Sequence, residues 1–261
     1  GAARVQLLLD GSDPLSSARI AGYVSAAVAT FEARPGANRT TGPKRIPSVV
    51  DIRQRFRFNA TLRDRDFFLA SIAGMLLTNV CFAATSLGLV GEKENGTYEQ
   101  MLSLPIGPLE IVLGKLIPHI GIAYGLLAKV VTVAGAVFGV WVKGSLFALA
   151  AISLPFILAS LTIGVLVSVF ARTTGQAIFL TVFFTMPSFV LSGSMLPYQL
   201  MPHGVREVGA LFPLRWYQIS LRRIVERGGG LADVAVPGLA LFLLFTVLIL
   251  VVRARMKPRL G

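Results

Sequence analysis

Five long apolar runs, separated by short charged or Gly/Pro-rich breaks, occupy most of this chain, and residues 1–66 contain none of them. The runs predict membrane-spanning helices at Phe67–Val90, Leu116–Val140, Leu146–Phe170, Ile178–Leu196 and Val234–Val252, because a helix needs roughly 20 apolar residues to cross a ~30 Å hydrocarbon core. Ahead of them, Val5–Leu9 is a short apolar stretch closed by Asp10-Gly11, a turn signal. Pro14–Ala33 predicts a helix with Ile20, Tyr23, Val24, Ala27, Val28 and Phe31 on one face. Arg34–Pro47 is rich in Pro, Gly, Asn and Thr and reads as a loop. Val49–Asn59 then alternates, with Val50, Ile52, Gln54, Phe56 and Phe58 on one face and Asp51, Arg53, Arg55 and Arg57 on the other, as a half-exposed strand does. The expected fold is mainly α: a polytopic membrane helix bundle of five spans over 67–261, preceded by a small α/β domain over 1–66.

The break Gly91–Lys115 is unusual. Glu92, Lys93, Glu94 and Glu99 end the apolar run at Val90 and Leu116 opens the next, so the segment is a short loop at one membrane face. Its Met101, Leu102, Leu104, Ile106 and Leu109 are too apolar for an idle connector, which points to packing on headgroups, on the bundle or on a partner. Gly96-Thr97 offers a turn and a helix N-cap, and Glu99 suits the first turn of a helix starting there. Pro105 and Pro108 then stop that helix.

Composition narrows the class. Hydrophobic residues make up 54% of the chain, a membrane-protein value. The net charge of +12 fits lipid and topology better than nucleic acid, since no basic run is interleaved with stacking aromatics. The single cysteine, Cys81, lies within an apolar run, so neither an intrachain disulfide nor a thiolate metal site is expected. His119 and His203 fall at opposite membrane faces, which argues against a metal site between them.

Arg253, Arg255, Lys257 and Arg259 follow the last span, and the positive-inside bias places the carboxyl terminus in the cytoplasm. Five crossings then put residues 1–66 outside, and Gly91–Lys115 and the Arg172 turn inside. Against the bias, the outer loop Pro197–Asp233 carries Arg206, Arg215, Arg222, Arg223 and Arg227. Within 192–230, Ser192-Gly193-Ser194, Pro197 and Met201-Pro202 break helices, while Val205–Phe212 and Trp216–Ile224 are amphipathic. This predicts short helices dipping into the outer leaflet, with Trp216 and Tyr217 at the headgroups. The start GAARVQLLLDG has no signal-peptide pattern, yet an outer domain needs something upstream to carry it across, so an amino-terminally truncated fragment is expected.

Glu92-Lys93-Glu94-Asn95-Gly96-Thr97, with Pro105, Glu110, Gly114 and Lys115 behind it, resembles the motif after a span in membrane subunits of ATP-binding-cassette exporters of the type-2 family. Ala171-Arg172-Thr173, Ser192-Gly193 with Pro197 and Pro202, and Pro213-Leu214-Arg215-Trp216-Tyr217 are similar too, so the resemblance covers about 90–230. The Asp10-Gly11-Ser12 turn and its helix look like the outer domain of the multidrug-type branch. Two departures stand out: the family's leading span is missing, and Gly91 stands where the family often has Arg, leaving no side chain there for an ion pair.

The resemblance implies a permease subunit in a bacterial cytoplasmic (inner) membrane that dimerises, homo- or hetero-, and pairs with two copies of an ABC ATPase subunit. It would export a hydrophobic or amphipathic substrate, drug-like or lipid-like, and allows a periplasmic adaptor. Glu92, Glu94, Gly96, Thr97, Glu99, Gln100, Leu102, Leu104 and Pro105 would couple to the ATPase, and Ser192, Gly193, Pro197 and Pro202 would form an outer gate. The chain has no GxxxxGK[S/T] phosphate loop, so it is not expected to be an enzyme; ATP and Mg would sit on the partner and no cofactor on this chain. Export of a lipid-linked polysaccharide, or a membrane-anchored sensor without transport, are the alternatives. Lys129, near the middle of the second run, costs about 2.5–3.5 kcal/mol to insert. It either lines a wet cavity or protomer interface and meets an anionic substrate or lipid, or it snorkels outward past Gly125 and Ala128.

Overall fold

The computed structural model describes residues 3–10, 14–32, 50–57, 64–97, 100, 108–195 and 201–255. These fall into two compact units, 1–67 and 68–261. In the first, β1 (Ala3–Asp10) and β2 (Val50–Arg57) pair in parallel, with Val5 opposite Ile52 and Leu9 opposite Phe56. Parallel neighbours need a crossover, and α1 (Pro14–Glu32) lies between them in the chain. Among the described side chains of α1, Ser17 and Ala21 are buried, whereas Ile20, Tyr23 and Phe31 of the predicted apolar face are exposed. The helical period was legible, but the small residues seat α1 and its large ones are left uncovered.

The second unit is the expected bundle. Among the described residues, five helices are long and apolar enough to cross a membrane: α2 (Asp64–Glu94), α3 (Pro108–Phe138), α4 (Leu146–Phe170), α5 (Thr174–Leu191) and α8 (Ala235–Arg255). Short α6 (Val205–Gly209) and α7 (Pro213–Val225) stand between α5 and α8. Chain direction puts the end of α2, the start of α3, the α4–α5 turn and the end of α8 at one face, called here the Glu92 face. The start of α2, the α3–α4 loop, α6 and α7 lie at the other.

The helix limits follow from caps rather than hydropathy. α3 starts at Pro108, a proline at a first helical position, and stops at Gly139, whose φ of 68° suits glycine. α5 runs from 174 to 191, not 178 to 196. Thr173 caps it by accepting from the Gln176 N–H at 3.3 Å, while the Gln176 side chain accepts from the Arg172 N–H at 2.9 Å. That exchange is close to a capping box, and its Thr-x-x-Gln pattern is visible in the sequence. At the far end Gly193, with φ 86°, turns the chain out.

Central α4 packs along α8, with α7 against both. Many of its buried residues are small: Ala148, Ser153, Ala159, Ser160, Gly164 and Ser168. Ser160, Gly164 and Ser168 form a small-xxx-small stripe that lets another helix approach closely. A Cβ at Gly164 would lie 2.9 Å from both the Phe82 carbonyl oxygen and Thr85 Cβ, so α2 crosses here at backbone contact. At Gly121 and Gly125 of α3, by contrast, a Cβ would have nothing within 4 Å.

α7 departs most from expectation. Tyr217 does not sit at the headgroups: it is buried, stacked on Phe156 with ring centroids 4.0 Å apart, and its hydroxyl lies 3.0 Å from Ser153 Oγ. Trp216 is half-buried and donates to the Ala210 carbonyl at 2.9 Å. An amphipathic stripe cannot report whether its apolar side meets lipid or protein, and here α4 and α8 cover it.

Candidate functional site

At the Glu92 face, α2 outlasts its apolar run by one turn, and three consecutive charged side chains each reach a different helix. Glu92 forms an ion pair with Lys115 of α3. Lys93 donates to the Ser168 carbonyl at the end of α4. Glu94 accepts from the Thr174 backbone N–H at 2.8 Å and from the Thr174 hydroxyl, at the first residue of α5. A carboxylate there also meets the positive end of the helix dipole and unsatisfied first-turn N–H groups. Thr97 donates its hydroxyl to the Glu92 carbonyl at 3.2 Å, closing the chain back on the end of α2, and Gly96 makes that turn with φ 69°.

One helix end thus holds three others. Consecutive residues on a helix point about 100° apart, which lets neighbours in sequence address separate partners. Exposed and half-exposed pairs of this kind add little to stability, so the arrangement registers the helices more than it stabilises them. Sequence reasoning named Glu92 and Glu94 but neither Thr174, the counterpart of Glu94, nor the Ser168 carbonyl, which Lys93 reaches. The latter could not be found from composition, because it is a backbone group. Gly91 is half-buried with open space where a Cβ would go, so the position sets no steric demand for glycine.

Gln100 is exposed and helical. Glu99, Leu102, Leu104 and Pro105 lie outside the described residues, as does Pro197 at the other face.

At that other face, Ser192 and Gly193 come together with groups that sequence reasoning did not select. Ser192 Oγ lies 2.7 Å from Ser194 Oγ. Arg222 of α7 donates to the Gly193 carbonyl at 2.8 Å and to Ser71 Oγ of α2 at 3.3 Å. Gln218, one turn earlier, donates to the Ser71 carbonyl at 3.1 Å. A Cβ at Gly74 would sit 2.5 Å from that amide, so Gly74 is what admits it. Pro202 is exposed and accepts from the Arg206 N–H at 3.2 Å, apart from this cluster. Arg222→Met should lower the thermal stability of the purified chain by about 1–2 kcal/mol, the range for losing hydrogen bonds from a charged donor in a membrane bundle. Arg222→Lys should recover part of it; differential scanning fluorimetry in detergent reads both.

α2 and α5 are therefore joined at both ends, through Glu94 and Thr174 at one face and through Arg222 at the other. Ser86 Oγ and Thr181 Oγ1, 3.0 Å apart, join them near the middle. From Ser71 to Glu94 the pair spans about 35 Å at 1.5 Å per residue.

Lys129 is exposed on α3 and lines a groove whose other walls are apolar, rather than a wet cavity.

Comparison with known proteins gives a coherent result. The family described as "ABC-2 family transporter protein" matches residues 1–254. The chain is similar to two Escherichia coli (strain K12) proteins named "Probable multidrug ABC transporter permease", YbhS and YbhR. It is 30% identical to YbhS over 230 residues, 87% of this chain and 59% of that protein. With YbhR the identity is 26% over 229 residues, 88% of this chain and 61% of that protein. A third, "Inner membrane transport permease YhhJ" of the same strain, is 32% identical over 190 residues, 70% of this chain and 49% of that protein. No solved structure matches the chain.

Proposed function

The chain belongs to the ABC-2 family of transporter proteins, and from that premise we propose that it is the permease part of an ATP-driven exporter. The observation that carries this is the end of α2, where Glu92, Lys93 and Glu94, at the start of segment 91–115, grip α3, α4 and α5. A partner docked on that segment would push on three helices at once. This chain has no phosphate loop, so the docked partner would be an ATPase carrying ATP and Mg.

In this reading the Glu92 face is cytoplasmic, which also puts Arg253 and Arg255 at the end of α8 on the inside. Residues 1–66 are then outside. Two copies of the chain, or this chain and a similar permease, would pair with two ATPases and move a hydrophobic or amphipathic compound outward. Displacement of the α2 end would pass along α2 and α5 to the Ser192–Gly193 turn, the outer gate.

The test is a crosslink. A Gln100→Cys chain in a Cys81→Ser background should crosslink to its ATPase subunit in native membranes. With the ATPase demonstrably assembled on the complex, an absent crosslink from this position would sink the docking assignment.

A further inference from the structure

The paired strands of the first unit have two unlike faces. Residues alternate between the faces of a strand, so the register partners Val5–Ile52, Leu7–Gln54 and Leu9–Phe56 share one face. Arg4–Asp51, Gln6–Arg53, Leu8–Arg55 and Asp10–Arg57 share the other. α1 packs on both strands, and Leu9 of the apolar face is buried, as are Ser17 and Ala21 of α1. On the polar face, Gln6 and Leu8 are exposed. Parallel sheets are usually covered on both faces, so the open polar face is the unusual one.

The register sorts the charges on that face. Arg4 stands opposite Asp51 and Arg57 opposite Asp10, the opposite-sign pairing that sheets favour. Arg53 and Arg55 stand opposite Gln6 and Leu8, neither of which is acidic. The middle of the face therefore carries two positive charges that no cross-strand carboxylate answers, about 6.6 Å apart along one strand. The wider segment leans the same way, since residues 1–63 hold ten basic and four acidic residues.

An anionic surface complements such a face, and guanidinium is the side-chain group best matched to phosphate. β2 ends at Arg57 and α2 begins at Asp64, a connection that extends at most about 25 Å. The bilayer that α2 enters is thus tethered to this unit at high effective concentration. An acidic partner protein would have to be recruited from solution.

We propose that the open sheet face docks on anionic phospholipid headgroups, with Arg53 and Arg55 taking the phosphates. Docking would hold whether or not the chain exports anything, and for either leaflet.

The test uses the full chain with a fluorophore at Leu8→Cys in a Cys81→Ser background. It is reconstituted in vesicles of phosphatidylcholine, with or without one third phosphatidylglycerol, each holding a trace of lipid with a nitroxide on its headgroup. Nitroxide quenching should be strong with phosphatidylglycerol and weak without it. Salt at ~1 M, where the Debye length is about 3 Å, should abolish it. A label at Tyr23→Cys, exposed on α1, should stay unquenched. Arg53→Gln with Arg55→Gln should lower the ratio of docked to free sheet about 30-fold, roughly 5-fold for each arginine near an anionic surface. Arg53→Lys with Arg55→Lys should keep most of the docking, which separates loss of charge from misfolding. Quenching that is equal in the two lipids, as an acidic protein partner would leave it, overturns the proposal. So does quenching unchanged in the double glutamine variant, or lost equally in the double lysine variant.

Discussion

A Gly164→Leu chain should not accumulate as a folded, monodisperse bundle, while Gly125→Leu should accumulate like the parent. Both replace a glycine in a membrane helix by the same side chain, and hydropathy alone would favour either. The difference lies in what meets the new atoms. At Gly164 the first added carbon would come within 2.9 Å of the Phe82 carbonyl oxygen and of Thr85 Cβ, and 3.3 Å from the Cys81 carbonyl oxygen. Two of these three are backbone atoms of α2, which cannot step aside without moving the whole helix. Overpacking a well-packed core costs about 1–3 kcal/mol, and a rigid backbone obstacle places this substitution at or beyond the upper figure. At Gly125 a Cβ has nothing within 4 Å. Fluorescence-detected size exclusion of solubilised membranes compares the two directly. Equal, symmetric peaks would show that α2 and α4 do not meet in the way described.

Cutting the grip of α2 on α5 should separate ATP hydrolysis from movement at the far face. Glu94→Ala removes the carboxylate that accepts from the Thr174 backbone N–H at 2.8 Å and from the Thr174 hydroxyl. The pair is exposed and contributes little to stability, so the chain should still fold and still bind the ATPase subunit proposed for it. What is lost is the connection at the Glu92 face between the proposed docking segment and the helix that ends at Ser192–Gly193. Met195, just past that turn, is exposed and suits a fluorophore as Met195→Cys with Cys81→Ser. In a reconstituted complex, its response to ATP should fall roughly 2- to 30-fold in Glu94→Ala, the usual span for residues on a coupling route. ATP hydrolysis should be largely kept. Glu94→Gln retains one acceptor oxygen and should lie between. Thr174→Val should add little to Glu94→Ala, because both remove the same contact. A parallel fall of hydrolysis and response, or no change in either, would mean that force travels by another route.

Much of the architecture was legible because burying apolar side chains in lipid is a local demand. Twenty apolar residues in a row announce a span whatever lies around them, and all five appeared. Helix ends were less legible where caps overrode hydropathy, as Thr173–Gln176 did at the start of α5 and Gly193 at its end. The candidate site was half-legible. Charges at 92–94 could be read as a membrane boundary, and the family resemblance gave them a role. Their separate destinations on three helices could not be read, since nothing local distinguishes one carboxylate of a pair from the other.

By itself, then, the sequence determined which segments cross the membrane, where polar chemistry interrupts them, and the family to which the chain belongs. The tertiary structure decided who meets whom: Lys93 with a carbonyl 75 residues away, Glu94 with a threonine 80 residues away. It also turned Tyr217 inward onto Phe156 and left Lys129 facing an apolar groove. The physical reason is common to all of these. Hydrophobic burial is nondirectional and adds up along the chain, so its pattern survives in one dimension. Ion pairs, hydrogen bonds and close backbone approach depend on geometry between distant segments, which exists only once the helices have packed.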